Sequence, residues 1–324
     1  MNERTHRTGW CSLGLLCSQL AFAWGCASRP YRYGEFSKSD GNEPVAAAPR
    51  QVNFKYGQPH KRLDRMSDIV SWPRRKLRPN EPDKREITDE TAEKLRQYLE
   101  KNDLDDVQVT VRDYDPAEQW RRLRENRIVP PVSRYTFGLL SVANYSLLPG
   151  RVFGRNAYNP YTNTLYVNSE APALLLHQAA FAKNVRGRPL PGVYAVTSHV
   201  PFLAVWHDVD AARDLVGYAR AEENWDLEAE SYREVYPRVG SQATGGVAVF
   251  VPVWWGGPVL GLAGSAVGSV AGRSTLASRE RQRDREIDQV VEGDVTGVVQ
   301  QASHEEPADE PSRRRFVTPS KFEE

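Results

Sequence analysis

Apolar and polar positions follow recognisable periods from about residue 86 onward. In ITDETAEKLRQYLEKN, beginning at Ile87, Leu95 and Leu99 lie four apart and a threonine or aspartate can serve as N-cap, which predicts a helix. DVQVTVRDY then alternates, with Val107, Val109 and Val111 on one face, as in a half-buried strand. DPAEQWRRLREN restarts a helix with Pro116 in its first turn and Arg121, Arg122 and Arg124 on its exposed face. The next run, VPPVSRYTFGLLSVANYSLLPG, is aromatic and reads as irregular. RVFGRNAY and TLYVNS are short β-prone runs, and the turn residues NPYTN between them predict a hairpin over 150–168. Helices follow at 170–186, 196–219 and 221–236. The first has Ser169 as its expected cap and Pro172 in its first turn, and ends near Gly187, Pro189 and Pro191.

The flanks behave differently. Residues 27–85 have no sustained apolar period, many prolines and basic runs such as KRLDRM, so they are expected to form a disordered basic linker. No charged residue occurs between Val239 and Gly272. That length exceeds the roughly 20 residues needed to cross a bilayer, and predicts a transmembrane or glycine-rich membrane segment at 245–272. Pro252, Pro258 and the Trp254–Trp255 pair leave a re-entrant hairpin as an alternative. Gly257 and Gly261 are four apart, as are Gly264, Gly268 and Gly272, a spacing that lets membrane helices approach closely and points to self-association. The arginines after Gly272 would place the tail in the cytoplasm. Residues 273–324 are expected to be a charged, disordered tail.

Composition narrows the function classes. The chain has 324 residues, and 43 basic side chains against 42 acidic ones give a formal net charge of +1, so no nucleic-acid partner is indicated. Cys11, Cys17 and Cys26 are the three cysteines, and none lies in the body. A disulfide framework and a cysteine zinc site are thereby excluded there. Arg4 and Arg7 followed by the apolar CSLGLLCSQLAFAW form an export signal over residues 1–26. Cleavage fits Ala21-Phe22-Ala23 or, as in a lipoprotein, Gly25-Cys26 with lipidation of Cys26. These signals place the folded domain, 86–240, on the outer, periplasmic side of the cytoplasmic membrane in the cell envelope.

The helix at 170–186 contains ALLLHQAAFAK. The metallopeptidase motif H-E-x-x-H uses two histidines one turn apart to hold zinc, and a glutamate to take a proton from the zinc-bound water. The whole run NPYTNTLYVNSEAPALLLHQAAFAK resembles a group of bacterial envelope proteins related to zincin metallopeptidases, in which a similar turn and strand lead into an H-E-A-A-H-A-K helix. WHDVDAARDL and REVYPRVGSQATGG are similar to that group more loosely, so the resemblance covers about residues 130–272.

The resemblance implies a small zincin-like α+β domain. It assigns the first histidine to His177, the catalytic glutamate's place to Gln178 and the second histidine's place to Phe181. A third ligand on the following helix would be Asp208, with Asp210 and Asp214 as further choices. Glutamine does not titrate near neutral pH and phenylalanine has no lone pair for a metal, so the family's hydrolysis is not expected here.

The expected function is a membrane-anchored, catalytically inactive metallopeptidase-like envelope protein with a binding or scaffold role, without a cofactor and with an unknown envelope protein as partner. One alternative is an active hydrolase whose zinc site is rebuilt from His177, His207, Asp208 and nearby acids, with His199 a further candidate. Another is a purely structural envelope lipoprotein. If no metal is held, Leu174, His177 and Phe181 form a core face and His177 bonds a neighbour such as Asp208.

Overall fold

A computed structural model of the chain describes residues 30–36, 52–58, 61–77, 87–148, 152, 156–200, 203–247 and 256–304. It is a mostly helical α+β fold around a small four-stranded mixed sheet. The signal at 1–26, Cys26, Trp254, Trp255 and the last twenty residues lie outside the described residues.

The strands are β1 (Phe54–Tyr56), β2 (Gln108–Val111), β3 (Ala157–Asn159) and β4 (Thr164–Val167), in the order β1-β2-β4-β3. β1 and β4 both run parallel to β2, and β3 pairs antiparallel with β4, closing the expected hairpin at one edge. Asn163, at φ 48° in the NPYTN turn, takes a left-handed conformation that asparagine tolerates better than most residues. Its carboxamide donates to the Asp106 carbonyl and accepts from the Tyr158 hydroxyl, tying the turn to the sheet. The alternation in β2 predicted one buried face, but all four of its residues are buried. β2 is a central strand, and the polar side chains on its second face bond inward, Gln108 to the Asn53 carbonyl and Thr110 to that of Leu165.

Helices cover this sheet. They are α1 (Lys61–Leu77), α2 (Asp89–Lys101), α3 (Pro116–Glu125), α4 (Leu139–Leu147), α5 (Pro172–Arg186), α6 (Pro191–Thr197), α7 (Leu203–Ala221), α8 (Trp225–Glu230), α9 (Tyr236–Val247) and α10 (Gly256–His304). Thr88 caps α2 and Asp115 caps α3 through their side chains, and Pro116 opens α3 where its missing N–H costs nothing. The main core joins Leu95 and Leu99 of α2, Val109 of β2, Leu165 of β4, Leu175 and Leu176 of α5 and Leu215 of α7. α5 is therefore covered on several sides, with ten of its fifteen residues buried.

Several expectations need correction. The segment 27–85 is not wholly a linker, because β1 completes the sheet and α1 follows it. Residues 30–36 lie on the domain as a strap. The Tyr31 hydroxyl bonds Asn102, and its ring faces the Lys183 ammonium. The irregular stretch near 131–147 is helical: a turn at Pro131–Ser133, a π-helical turn at Arg134–Gly138, then α4. Ser169 does not cap α5, whose N-cap is Ala171 without a side-chain bond. The expected helix at 196–219 is two helices, α6 and α7, and that at 221–236 is α8, a π-helical turn at Ser231–Val235 and the start of α9.

The C-terminal part also differs from expectation. Among the described residues no helix is long and apolar enough to cross a membrane. The described parts of 245–272 belong instead to two helices, α9 and α10. A Cβ on Gly240 would stand 2.2 Å from the Gly264 carbonyl oxygen, one on Gly268 2.3 Å from that of Tyr236, and one on Gly272 2.1 Å from that of Tyr232. These pairs run in opposite directions along the two helices, so the glycine stripe seats α10 antiparallel on the chain's own preceding segment. From Ser274 the chain forms a second unit. It is helical through His304.

Candidate functional site

α5 forms because Pro172 sits in its first turn and the following alanines and leucines favour helix. Its centre places His177, fully buried, toward α7. The His177 Nε2 lies 3.0 Å from the backbone oxygen of Asp208 and 4.0 Å from its carboxylate Oδ1. A carbonyl only accepts, so Nε2 carries the proton and donates. On the other side of the ring, the Gln178 amide nitrogen donates to His177 Nδ1 at 3.2 Å. The Gln178 oxygen accepts from the Tyr158 N–H of edge strand β3, also at 3.2 Å. Both ring nitrogens of His177 are thus engaged, and its one lone pair already accepts a hydrogen bond.

Phe181, one turn later, lines a cleft and stands 6.0 Å from the rings of Tyr158 and Tyr194 and 6.2 Å from that of His207. His207 is enclosed by aromatics, with Tyr194 edge-on at 3.9 Å and Trp206 at 5.2 Å. Its Nε2 bonds the Thr197 hydroxyl at 2.9 Å, and its Nδ1 is buried without a hydrogen-bond partner among the described residues. Asp208 Oδ2 is likewise buried and without such a partner. The other acids singled out in the sequence have their own cations. Asp210 binds Arg188 at 2.7 Å, and Asp214 binds Lys183 at 2.6 Å. His199 faces Phe137 and Tyr161, with Nδ1 on the Ala195 carbonyl at 3.0 Å. The fold therefore brings His177 and Asp208 together, but His207 faces Thr197 and the aromatic cluster. Among the described residues no three His, Cys, Asp or Glu side chains are grouped to hold a metal ion.

Electrostatics follow burial. Loss of hydration lowers His177 to about 4, against the opposing effect of the Asp208 carbonyl, and Arg238 lowers it further. Burial, with Arg188 nearby, also brings His207 to about 4. The same loss of hydration raises Asp208 to about 6, although Arg238 works against it. At neutral pH both imidazoles are uncharged.

The cleft beside Phe181 has a volume of about 530 Å³. It is lined by Tyr145, Tyr158, Asn159, Tyr166, Phe181 and His199 among others, and no Asp, Glu, Lys or Arg contributes to the lining among the described residues. Such a surface offers ring faces and neutral hydrogen-bonding groups.

Two features had no clear signal in the sequence. The bridging role of Gln178 depends on β3 lying across α5. The polar cluster of Lys183, Asp214, Tyr98 and Tyr31 joins four separate segments. The chain matches no protein-family model, no curated protein and no solved structure.

Two predictions follow from these contacts. Gln178→Ala leaves the buried Tyr158 N–H and His177 Nδ1 unpaired, and is expected to cost about 2–4 kcal/mol in urea unfolding, more than an ordinary surface substitution. The second concerns pH. The histidines bind protons below about 6.5 when unfolded but only near 4 when folded, so acid favours the unfolded chain across that window. Asp208 acts oppositely, since its folded form takes a proton near 6 and its unfolded form near 3.8. Two histidines outweigh one aspartate, so stability should fall by an amount of order 3 kcal/mol between pH 7 and pH 4. Urea unfolding at the two pH values measures it, and His177→Asn should flatten the slope.

Proposed function

We propose that the chain is a membrane-attached binding or scaffold protein of the cell envelope, built on a zincin-like domain whose histidine helix serves structure rather than hydrolysis. The observation that carries this reading is the double engagement of His177, by the Asp208 carbonyl and by the Gln178 amide. Metal-assisted hydrolysis requires a free imidazole lone pair and a base for the bound water. His177 offers no free lone pair, and the neutral Gln178 cannot be that base. Phe181 lends its ring to the aromatic cluster and the cleft wall.

The domain has an aromatic cleft beside Phe181. Its uncharged lining of tyrosine, phenylalanine and asparagine favours a neutral ligand held by ring faces and amide groups. The export signal at 1–26, with its lipobox-like Cys26, supports a location on the outer side of the cytoplasmic membrane. A rebuilt zinc centre has no comparable support, because among the described residues no three His, Cys, Asp or Glu side chains are grouped to hold a metal ion.

The test is zinc stoichiometry. The full chain is purified in detergent, equilibrated with excess zinc, desalted and measured by elemental analysis beside His177→Ala. Both should hold less than about 0.1 zinc per folded chain. About one zinc in the wild type, lost in the alanine variant, would overturn the proposal.

A further inference from the structure

One wall of the aromatic cleft is helical. Ser141, Asn144, Tyr145 and Leu148 line it, at a spacing that puts them on one face of α4 and its C-terminal cap. Tyr158 and Tyr166 of the hairpin form the floor with Phe181 of α5, and Ser198 and His199, just after α6, form another wall.

The tyrosines commit their polar ends to the protein. The Tyr145 hydroxyl donates to the Asp113 carbonyl and accepts from the Asp115 N–H. That of Tyr166 donates to Gln119 at 2.7 Å, and that of Tyr158 to Asn163 at 2.9 Å. What these residues offer the cleft is ring carbon. The Ser198 hydroxyl and His199 Nδ1 are likewise spent on the Ala195 carbonyl. The Tyr158 N–H, which an extended peptide on this edge would pair with, is held by Gln178. A peptide backbone or a polyhydroxy sugar would therefore find few partners here. Among the described residues, the Ser141 and Asn144 side chains and His199 Nε2 keep hydrogen-bonding capacity for a small neutral group.

The apolar character continues beyond the cleft. Leu148 itself is 55 % exposed, and the neighbours of lining residues, Leu147 and Val200, are 80 % and 42 % exposed. No Asp, Glu, Lys or Arg occurs in 135–148 or in 189–206, and the two stretches meet where the Phe137 ring lies 6.2 Å from that of His199. An apolar rim of this kind, on a chain in which 26 % of residues are charged, marks a surface built for an apolar occupant. The cleft volume of about 530 Å³ suits a small ligand.

We propose that the cleft takes the acyl chain of an uncharged single-chain lipid. The chain lies against Leu148, Phe181 and the tyrosine rings, and the hydroxyl or ester groups of the head bond Ser141, Asn144 and His199. The inference rests on the neutral-ligand reading of the cleft given above, and adds the class of ligand.

The experiment uses the full chain, held in a fluorinated surfactant that mixes poorly with hydrocarbon. It is titrated calorimetrically with 1-monoacylglycerols of six, eight and ten carbons, below their aggregation concentrations. Burial of the added methylenes should raise affinity about tenfold for each two carbons. Decanoate has the longest tail but a charged head, and should bind at least tenfold more weakly than the ten-carbon glyceride, since burying its carboxylate without a cation is costly. Methyl glucoside should not bind. Ser141→Trp, which fills the cleft, should lower glyceride affinity at least tenfold with an unchanged circular dichroism spectrum, and Leu148→Gln should lower it several-fold. If Ser141→Trp misfolds, the chain-length series and Leu148→Gln still decide. Equal affinities along the series, or methyl glucoside binding as tightly as the ten-carbon glyceride, would overturn the acyl chain while leaving a neutral-ligand cleft standing. Decanoate binding at least as tightly as the glyceride would overturn both. Binding unmoved by either variant would place the lipid elsewhere and overturn the inference. No binding of any probe would overturn it too, and chain dimers dispersed by Leu148→Gln would then assign the rim to a second copy.

Discussion

The carboxamide of Gln178 joins three parts of the fold. Its oxygen holds the Tyr158 N–H of the edge strand, its nitrogen holds Nδ1 of His177, and through that ring the bond to the Asp208 carbonyl reaches α7. A carboxylate at this position could accept from Tyr158 but has no N–H to donate to the ring. The amide therefore suits a structural helix, and the same chemistry denies the site a base. The Gln178 oxygen also occupies the Tyr158 N–H, a donor on the sheet's antiparallel edge that an extended peptide would otherwise pair with.

Around this joint the domain settles its buried polar groups locally. Asp210 is matched by Arg188, whose guanidinium also lies over the rings of Tyr194 and Trp206. Asp214 is matched by Lys183, and the Tyr98 and Tyr31 hydroxyls donate to the same carboxylate. Removing one partner of such a buried pair leaves a charge in low dielectric, which costs far more than the intact pair contributes. Among these aspartates Asp208 is the exception. Its Oδ2 has no hydrogen-bond partner among the described residues, and burial raises its proton affinity instead.

Periodicity in the sequence made much of the domain legible. Leu95 and Leu99 marked α2, the alternating valines marked β2, and NPYTN marked the hairpin. Pro172 and the glycine and prolines near 187–191 bracketed α5. The rest depended on distant partners. Phe54–Tyr56 is too short to show a period, and becomes a strand only because β2 offers a parallel edge. The strap at 30–36 is held by tyrosine hydroxyls and ring contacts, which leave no apolar repeat. The glycine spacing was read as self-association in a membrane; Gly264, Gly268 and Gly272 instead lie against the chain's own preceding segment, a partner that spacing alone does not identify. At the site, it was readable directly that Gln178 and Phe181 stand where the resemblance would put a glutamate and a second histidine. Which atom of Asp208 meets His177, and that Gln178 bridges to β3, required the geometry.

The central claim is that His177 is a neutral ring with both nitrogens engaged, and nitrogen-15 NMR of the imidazole tests it most directly. Long-range proton–nitrogen correlation at pH 7 should show the Nε2–H form, with Nδ1 as acceptor. The spectrum should be unchanged from pH 8 to pH 5.5 and unmoved by excess zinc. An upfield shift of either His177 nitrogen on adding one equivalent of zinc would contradict the account, and would identify α5 as a working metal-binding helix.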